Sequence, residues 1–255
     1  RRAAAAVLVT RAMGDLILSE ISPASGEKER ADILRRAIEQ YEIALAEAPK
    51  SIALVDRITG LRIALAAQSK PKDRAVLDKA MADVKTAMEA GAGAEPLRLR
   101  LAQVYHEIGN DAEAAAELKK VIGTGQEAAV KEPDNVAIAF QLAELRSMLN
   151  AWQPDKAVLK QALDGYALVV QKQPQFLQAY RAAGMMLEQA KDYPAAVEWW
   201  AKLLTAAKGD MSVKALPPDR SDFAFNAAAE MAWLYVENLN DLAKAREYAK
   251  IAGDI

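Results

Sequence analysis

His106 is the only histidine in the chain, and with Glu107 beside it this is the natural place to look for general-base or metal chemistry. The sequence holds no cysteine, which excludes disulfides, iron–sulfur clusters and thiolate zinc sites, so carboxylates would have to complete any metal shell. A structural or surface histidine is the expectation. Gly91-Ala92-Gly93 and Gly123-Thr124-Gly125 are the glycine-rich spots. Neither extends to a phosphate-binding fingerprint or follows a strand, and both read as helix ends. No Gly-x-Ser-x-Gly elbow, Asp-rich calcium loop or His-Glu-x-x-His motif occurs. Paired carboxylates such as Glu29 and Asp32 fall on solvated helix faces. No catalytic residue, metal site or cofactor is therefore expected, and the chain is not expected to be an enzyme.

The elements that carry these side chains are helices. Hydrophobic residues make up 52% of the chain but aromatic ones only 6%, so alanine and leucine supply most of the apolar content, as in closely packed helices. A net charge of −2 and a pI of 5.7 speak against a nucleic-acid binder. No apolar run approaches the roughly 20 residues that a membrane span needs. Arg1 and Arg2 before Ala3 to Val9 resemble the start of a signal peptide, but Arg11 and Asp15 interrupt the stretch and no clean cleavage pattern follows. It reads as part of a first helix. A chain without cysteine suits cytoplasm and periplasm equally.

Between Ile33 and Ala48 the apolar positions follow the helical period, with Arg35, Glu39 and Glu42 opposite, and Pro49 ends the helix. The same arrangement recurs. A small residue followed four positions later by a large one appears at Ala37 with Tyr41, Ala80 with Val84, Ala114 with Leu118, Ala162 with Tyr166 and Ala196 with Trp200. Ala245 marks a sixth copy, with one extra residue in its turn. The markers at 37, 80, 114, 162, 196 and 245 are spaced by 43, 34, 48, 34 and 49 residues. The longer spacings contain turn chemistry: Ser69-Lys70-Pro71, then Gly123-Thr124-Gly125 with Gln153-Pro154-Asp155, then Lys208-Gly209-Asp210 through Pro217-Pro218-Asp219. The last of these, 209–219, is expected to be the longest internal loop.

Two spacings of 34 match the tetratricopeptide repeat, which the stretches Leu101-Ala102…Tyr105…Gly109…Ala114…Leu118 and Ala183-Gly184…Leu187…Tyr193…Ala196…Trp200 resemble closely. HEAT repeats, at about 40–47 residues, do not give such spacings. Pentatricopeptide repeats read RNA through a basic groove that this acidic chain lacks. The resemblance implies an all-α, right-handed α-solenoid of about six helix-turn-helix hairpins over 1–255. In it Trp200 fills a core slot, while Trp199 seals the next hairpin or stays partly exposed.

The resemblance also implies a function. Such arrays hold a peptide or partner protein against the concave wall built by the first helix of each hairpin. On this chain those positions are Arg57, Gln103, His106, Glu144, Arg181, Met185, Glu188, Trp233 and Glu237. The lysine, asparagine and arginine set of a carboxylate clamp is missing from them. The alanine-rich helices and the Met231-Ala232-Trp233-Leu234-Tyr235 segment are similar to bacterial repeat proteins of envelope assembly and secretion. The leading expectation is a non-catalytic interaction scaffold, and the second is a structural module of a larger assembly. Apolar residues at Ala3 to Val9 and at Ala245, Ala249 and Ala252 lead to the expectation that both ends are covered, by more chain, by self-association or by a partner.

Overall fold

The computed structural model describes residues 2–69, 71–91 and 94–255, and among them the regular elements are all helices. The middle of Ser69-Lys70-Pro71, the end of Gly91-Ala92-Gly93, and Arg1 lie outside the described residues. The helices fall into six hairpins: α1 (Arg2–Leu18) with α2 (Glu27–Glu47), α3 (Ile52–Ala67) with α4 (Arg74–Glu89), and α5 (Ala94–Glu107) with α6 (Asp111–Lys131). These are followed by α7 (Val136–Trp152) with α8 (Lys156–Lys172), α9 (Leu177–Gln189) with α10 (Tyr193–Lys208), and α11 (Pro218–Glu237) with α12 (Leu242–Asp254). The odd-numbered helices are the first, or A, helices and the even-numbered ones the B helices.

Local chemistry sets most of the helix boundaries. Ser51, Asp73, Asn135, Asp155, Asp192 and Asp241 each accept a hydrogen bond from a first-turn amide, satisfying donors that the helix cannot. Three of the turns from A to B helix share one device. Gly109, Lys191 and Asn240 adopt positive φ, and the following amide reaches back to a carbonyl of the A helix (Asn110 to Tyr105, Asp192 to Leu187, Asp241 to Tyr235). The last of these spans one residue more, as the extra residue in that turn requires.

Two boundaries differ from expectation. Gly123 and Gly125 do not end a helix. They lie inside α6, whose 21 residues absorb much of the added length. Glycine costs a helix interior about 1 kcal/mol, but at Gly125 a Cβ would stand 3.3 Å from the Leu142 side chain, so the missing atom lets α7 approach. The second concerns the connection after α10, which runs 209–217, because Pro218 starts α11 in the first-turn position where its missing N–H costs nothing. That connection contains a 3₁₀ turn, Val213–Ala215, which packs on α12, and Leu216 packs against the core.

The chain divides into two compact units, 1–121 and 122–255, the division falling inside α6. In the first unit α3 packs on α2, α4 and α5, while α1 packs on α2. In the second, α9 packs on α7, α8, α10 and α11, and α11 also packs on α10 and α12. α3, α7, α9 and α11 thus each touch their own B helix and the A helix of a neighbouring hairpin, as hairpins stack in a helical repeat. The marker residues Ala37, Ala80, Ala114, Ala162 and Ala196 are 0% exposed, and Ala245 is 5% exposed. Tyr41, Val84, Leu118, Tyr166 and Trp200 are buried beside them. A Cβ on Gly184 would stand 2.8 Å from Trp200, and one on Gly14 equally close to Tyr41. The missing side chain on the A helix is what admits the aromatic ring of the B helix.

One charged group sits deep in the first unit. Arg62 of α3 is 2% exposed and bridges Glu42 of α2 and Asp83 of α4, with Lys79 also on Glu42 at 2.7 Å. A guanidinium with two forks suits two carboxylates from two helices.

Candidate functional site

In the first unit the expected wall residues are held by neighbours. The Arg57 guanidinium lies 3.5 Å from the Asp15 carboxylate, and its Nε donates to the Tyr41 hydroxyl at 3.4 Å. Tyr41 in turn donates to Asp15 at 2.5 Å. Burial and then the bond to Asp15 raise the Tyr41 pKa, while the Tyr41 oxygen and nearby carboxylates raise that of Arg57. These side chains line a pocket of about 420 Å³ with Val7, Arg11 and Ser51. Gln103 accepts from Arg100 at 2.9 Å, and Arg100 pairs with Asp56 at 2.7 Å. His106 Nδ1 meets the Asp111 carboxylate at 2.7 Å, which holds the end of α5 to the start of α6. Among the described residues no group of three or more histidine and acidic side chains is placed to hold a metal ion.

In the second unit the remaining six positions lie on α7, α9 and α11. Glu144 accepts from the Tyr166 hydroxyl and Glu188 from the Trp200 indole, each bond tying an A helix to its own B helix. Burial, then the bond to Glu144, pushes the Tyr166 hydroxyl far above the usual tyrosine range. Burial also raises Glu188, the Trp200 indole opposes it, and the like charge of Glu230 on α11 adds to the rise. Arg181 lies 5.3 Å over the Phe223 ring and lines a pocket of about 450 Å³ with Asp219, Asp222, Phe225 and Asn226. Met185 and Trp233 are 49% and 51% exposed, and Glu237 is exposed. A second pocket, about 350 Å³, lies between α11 and α12 and is lined by Trp233, Val236, Glu237, Leu242 and Arg246.

Met185 and Trp233 occupy equivalent positions, each directly after the small residue of its A helix, Gly184 and Ala232. The structure places them on neighbouring helices that pack together. Glu230, Phe223 and Phe225 were not singled out in the sequence, and Asp15 was read there only as a break in the first apolar stretch. Asp15 had a signal, since it follows Gly14 as Glu144 follows Ala143. Glu230 had none, because only the packing of α11 on α9 brings it near Glu188. Trp199 is partly buried, lies 6.1 Å from Tyr180 and carries Lys202 over its face at 4.9 Å.

These features define an all-α repeat protein built from tetratricopeptide-type hairpins. No family model matches the sequence, and no curated protein matches it. Solved structures do match. One is BtubC (BKLC) from P. vanneervenii, with a TM-score of 0.52 at 13% identity over 90% of this chain and 90% of that one. Another is a kinesin light chain protein from Podosopora anserina with nearly identical TPR-like repeats, with a TM-score of 0.50 at 16% identity over 78% of this chain and 94% of that one. At these identities the likeness is one of fold. Among the described residues no helix is long and apolar enough to cross a membrane.

Proposed function

We propose that this chain is a non-catalytic interaction scaffold that docks a peptide or partner protein on the A helices of its second unit. The observation that carries the reading is the pair Met185 and Trp233, half-exposed at equivalent positions on adjoining helices. The aromatic ring supplies a large anchor on an ordered helix and the thioether an adaptable apolar neighbour beside it. Arg57, Gln103, His106, Glu144 and Glu188 act here first as braces, since each is bound to a neighbour within its own unit. A photo-crosslinker placed at Met185 should capture partner species from native extract, whereas one at exposed Leu168 on α8 should not. Trp233→Ala should reduce that capture and leave helicity unchanged, because the ring is half in water already. Equal capture from both faces would count against the reading.

A second reading, a module of a larger assembly, is favoured by α1. Val9, Met13 and Leu16 are exposed there, while Val55 and Arg62 of α3 and Ala179, Ala183 and Met186 of α9, at the corresponding positions, are buried. Native mass spectrometry tests it: concentration-dependent assembly abolished by Leu16→Glu supports the module, and a monomer at every concentration opposes it.

A further inference from the structure

We propose that the docking wall of the second unit is built for a basic peptide segment, one lysine- or arginine-bearing stretch with an apolar side chain that seats on Met185 and Trp233. This rests on the docking reading above and adds the partner's chemistry to it. The A helices α7, α9 and α11 carry six carboxylates, Glu144, Glu188, Asp219, Asp222, Glu230 and Glu237, against three arginines. The B helices α8, α10 and α12 of the same unit reverse the balance, with eight basic and four acidic side chains. For a chain whose net charge is only −2, charge in this unit is sorted by wall.

The three arginines do little to neutralise the acids. Arg146 is partly buried with its Nε unbonded, Arg220 donates to Gln175 at 2.7 Å, and Arg181 lies over Phe223. Among the described residues none of the six carboxylates has a cationic group within ion-pairing distance. Glu188 and Glu230 bring like charge together across the α9–α11 packing, which adds to the burial that raises the Glu188 pKa. The first unit behaves differently: Arg57, Arg62, Arg98 and Arg100 of its A helices each meet a carboxylate within 3.5 Å. In the second unit the missing counter-charge is left to the partner, and complementary potential would both steer and orient it. Acidic peptides and nucleic acids are repelled by the same wall.

Panning a random peptide library displayed on phage against the full chain tests this. Peptides rich in lysine or arginine with an apolar residue should be enriched. Their binding should weaken by about tenfold or more from low to high salt. It should be lost with Trp233→Ala and with the charge reversal Glu230→Lys plus Glu237→Lys. Should the double variant fold poorly, Glu237→Lys alone, at an exposed position, carries the same test through a several-fold loss. Enriched peptides without basic excess that still require Trp233 would overturn the charge assignment and leave the docking reading intact. Enrichment indifferent to Trp233, or none at all, would overturn both.

Discussion

Gly184 and Trp200 show how much of this fold turns on single atoms. A methyl group at 184 would stand 2.8 Å from the indole, inside contact distance, and the ring is pinned by its bond to Glu188. Gly184→Ala should therefore destabilise the protein by about 1–3 kcal/mol despite the better helix propensity of alanine, read as a lower midpoint in urea. Lys191 presents the opposite case. It holds φ at 60° in the turn after α9, a conformation that costs a residue with a side chain about 1–2 kcal/mol. Lys191→Gly should raise stability by up to about 1 kcal/mol once the entropy of glycine is counted. The same change at Asn240, φ 51°, should gain less, since asparagine tolerates this region. A loss of stability at Lys191→Gly would show that its side chain has a role beyond the turn.

Between elements, Arg62 joins three helices through Glu42 and Asp83. Removing a buried cation leaves two carboxylates facing each other, although both are about one-third exposed. Arg62→Met should accordingly cost about 2–3 kcal/mol, below the full figure for breaking a dry pair. Burial raises the Glu42 pKa, but hydrogen bonds from Lys79 and Arg62 outweigh it and hold the group below its ordinary 4.5. The stabilisation from a depressed carboxylate is present above its unfolded pKa and is lost as pH falls through the folded value. Wild-type stability should therefore fall below about pH 4.5, and Arg62→Met should flatten that part of the profile. An unchanged acid limb in the variant would mean that other carboxylates govern it. Nothing in the sequence singled out Arg62, whose partners lie 20 and 21 residues away on other helices.

At the scale of the whole chain, stability should vary with how many neighbours a hairpin has. α9 packs on four helices of the second unit, whereas α1 packs on α2 and leaves Leu8, Val9, Met13 and Leu16 exposed. Amide exchange should consequently be fastest in α1 among the A helices and slowest in α9. Protection of α1 equal to that of α9 would show that its apolar stripe is covered in solution.

Helical periodicity, read together with the tetratricopeptide resemblance, gave the six hairpins, the buried alanines at 37, 80, 114, 162, 196 and 245, and the slots filled by Tyr41, Tyr166 and Trp200. These depend on which residues recur at helical spacing, and spacing is written in the chain. Periodicity could not tell that Gly123 and Gly125 belong inside a helix, because a glycine looks the same where a helix ends and where a neighbour comes close. At Gly125 only packing supplied Leu142 as the reason. The A-helix positions were likewise legible as a set, but not their roles. Glu144 and Glu188 became braces for Tyr166 and Trp200, and Glu188 came to face Glu230, through contacts between residues distant in sequence. Charge sorted between walls follows from the same cause: each helix has its own composition, but only stacking decides which helices share a face.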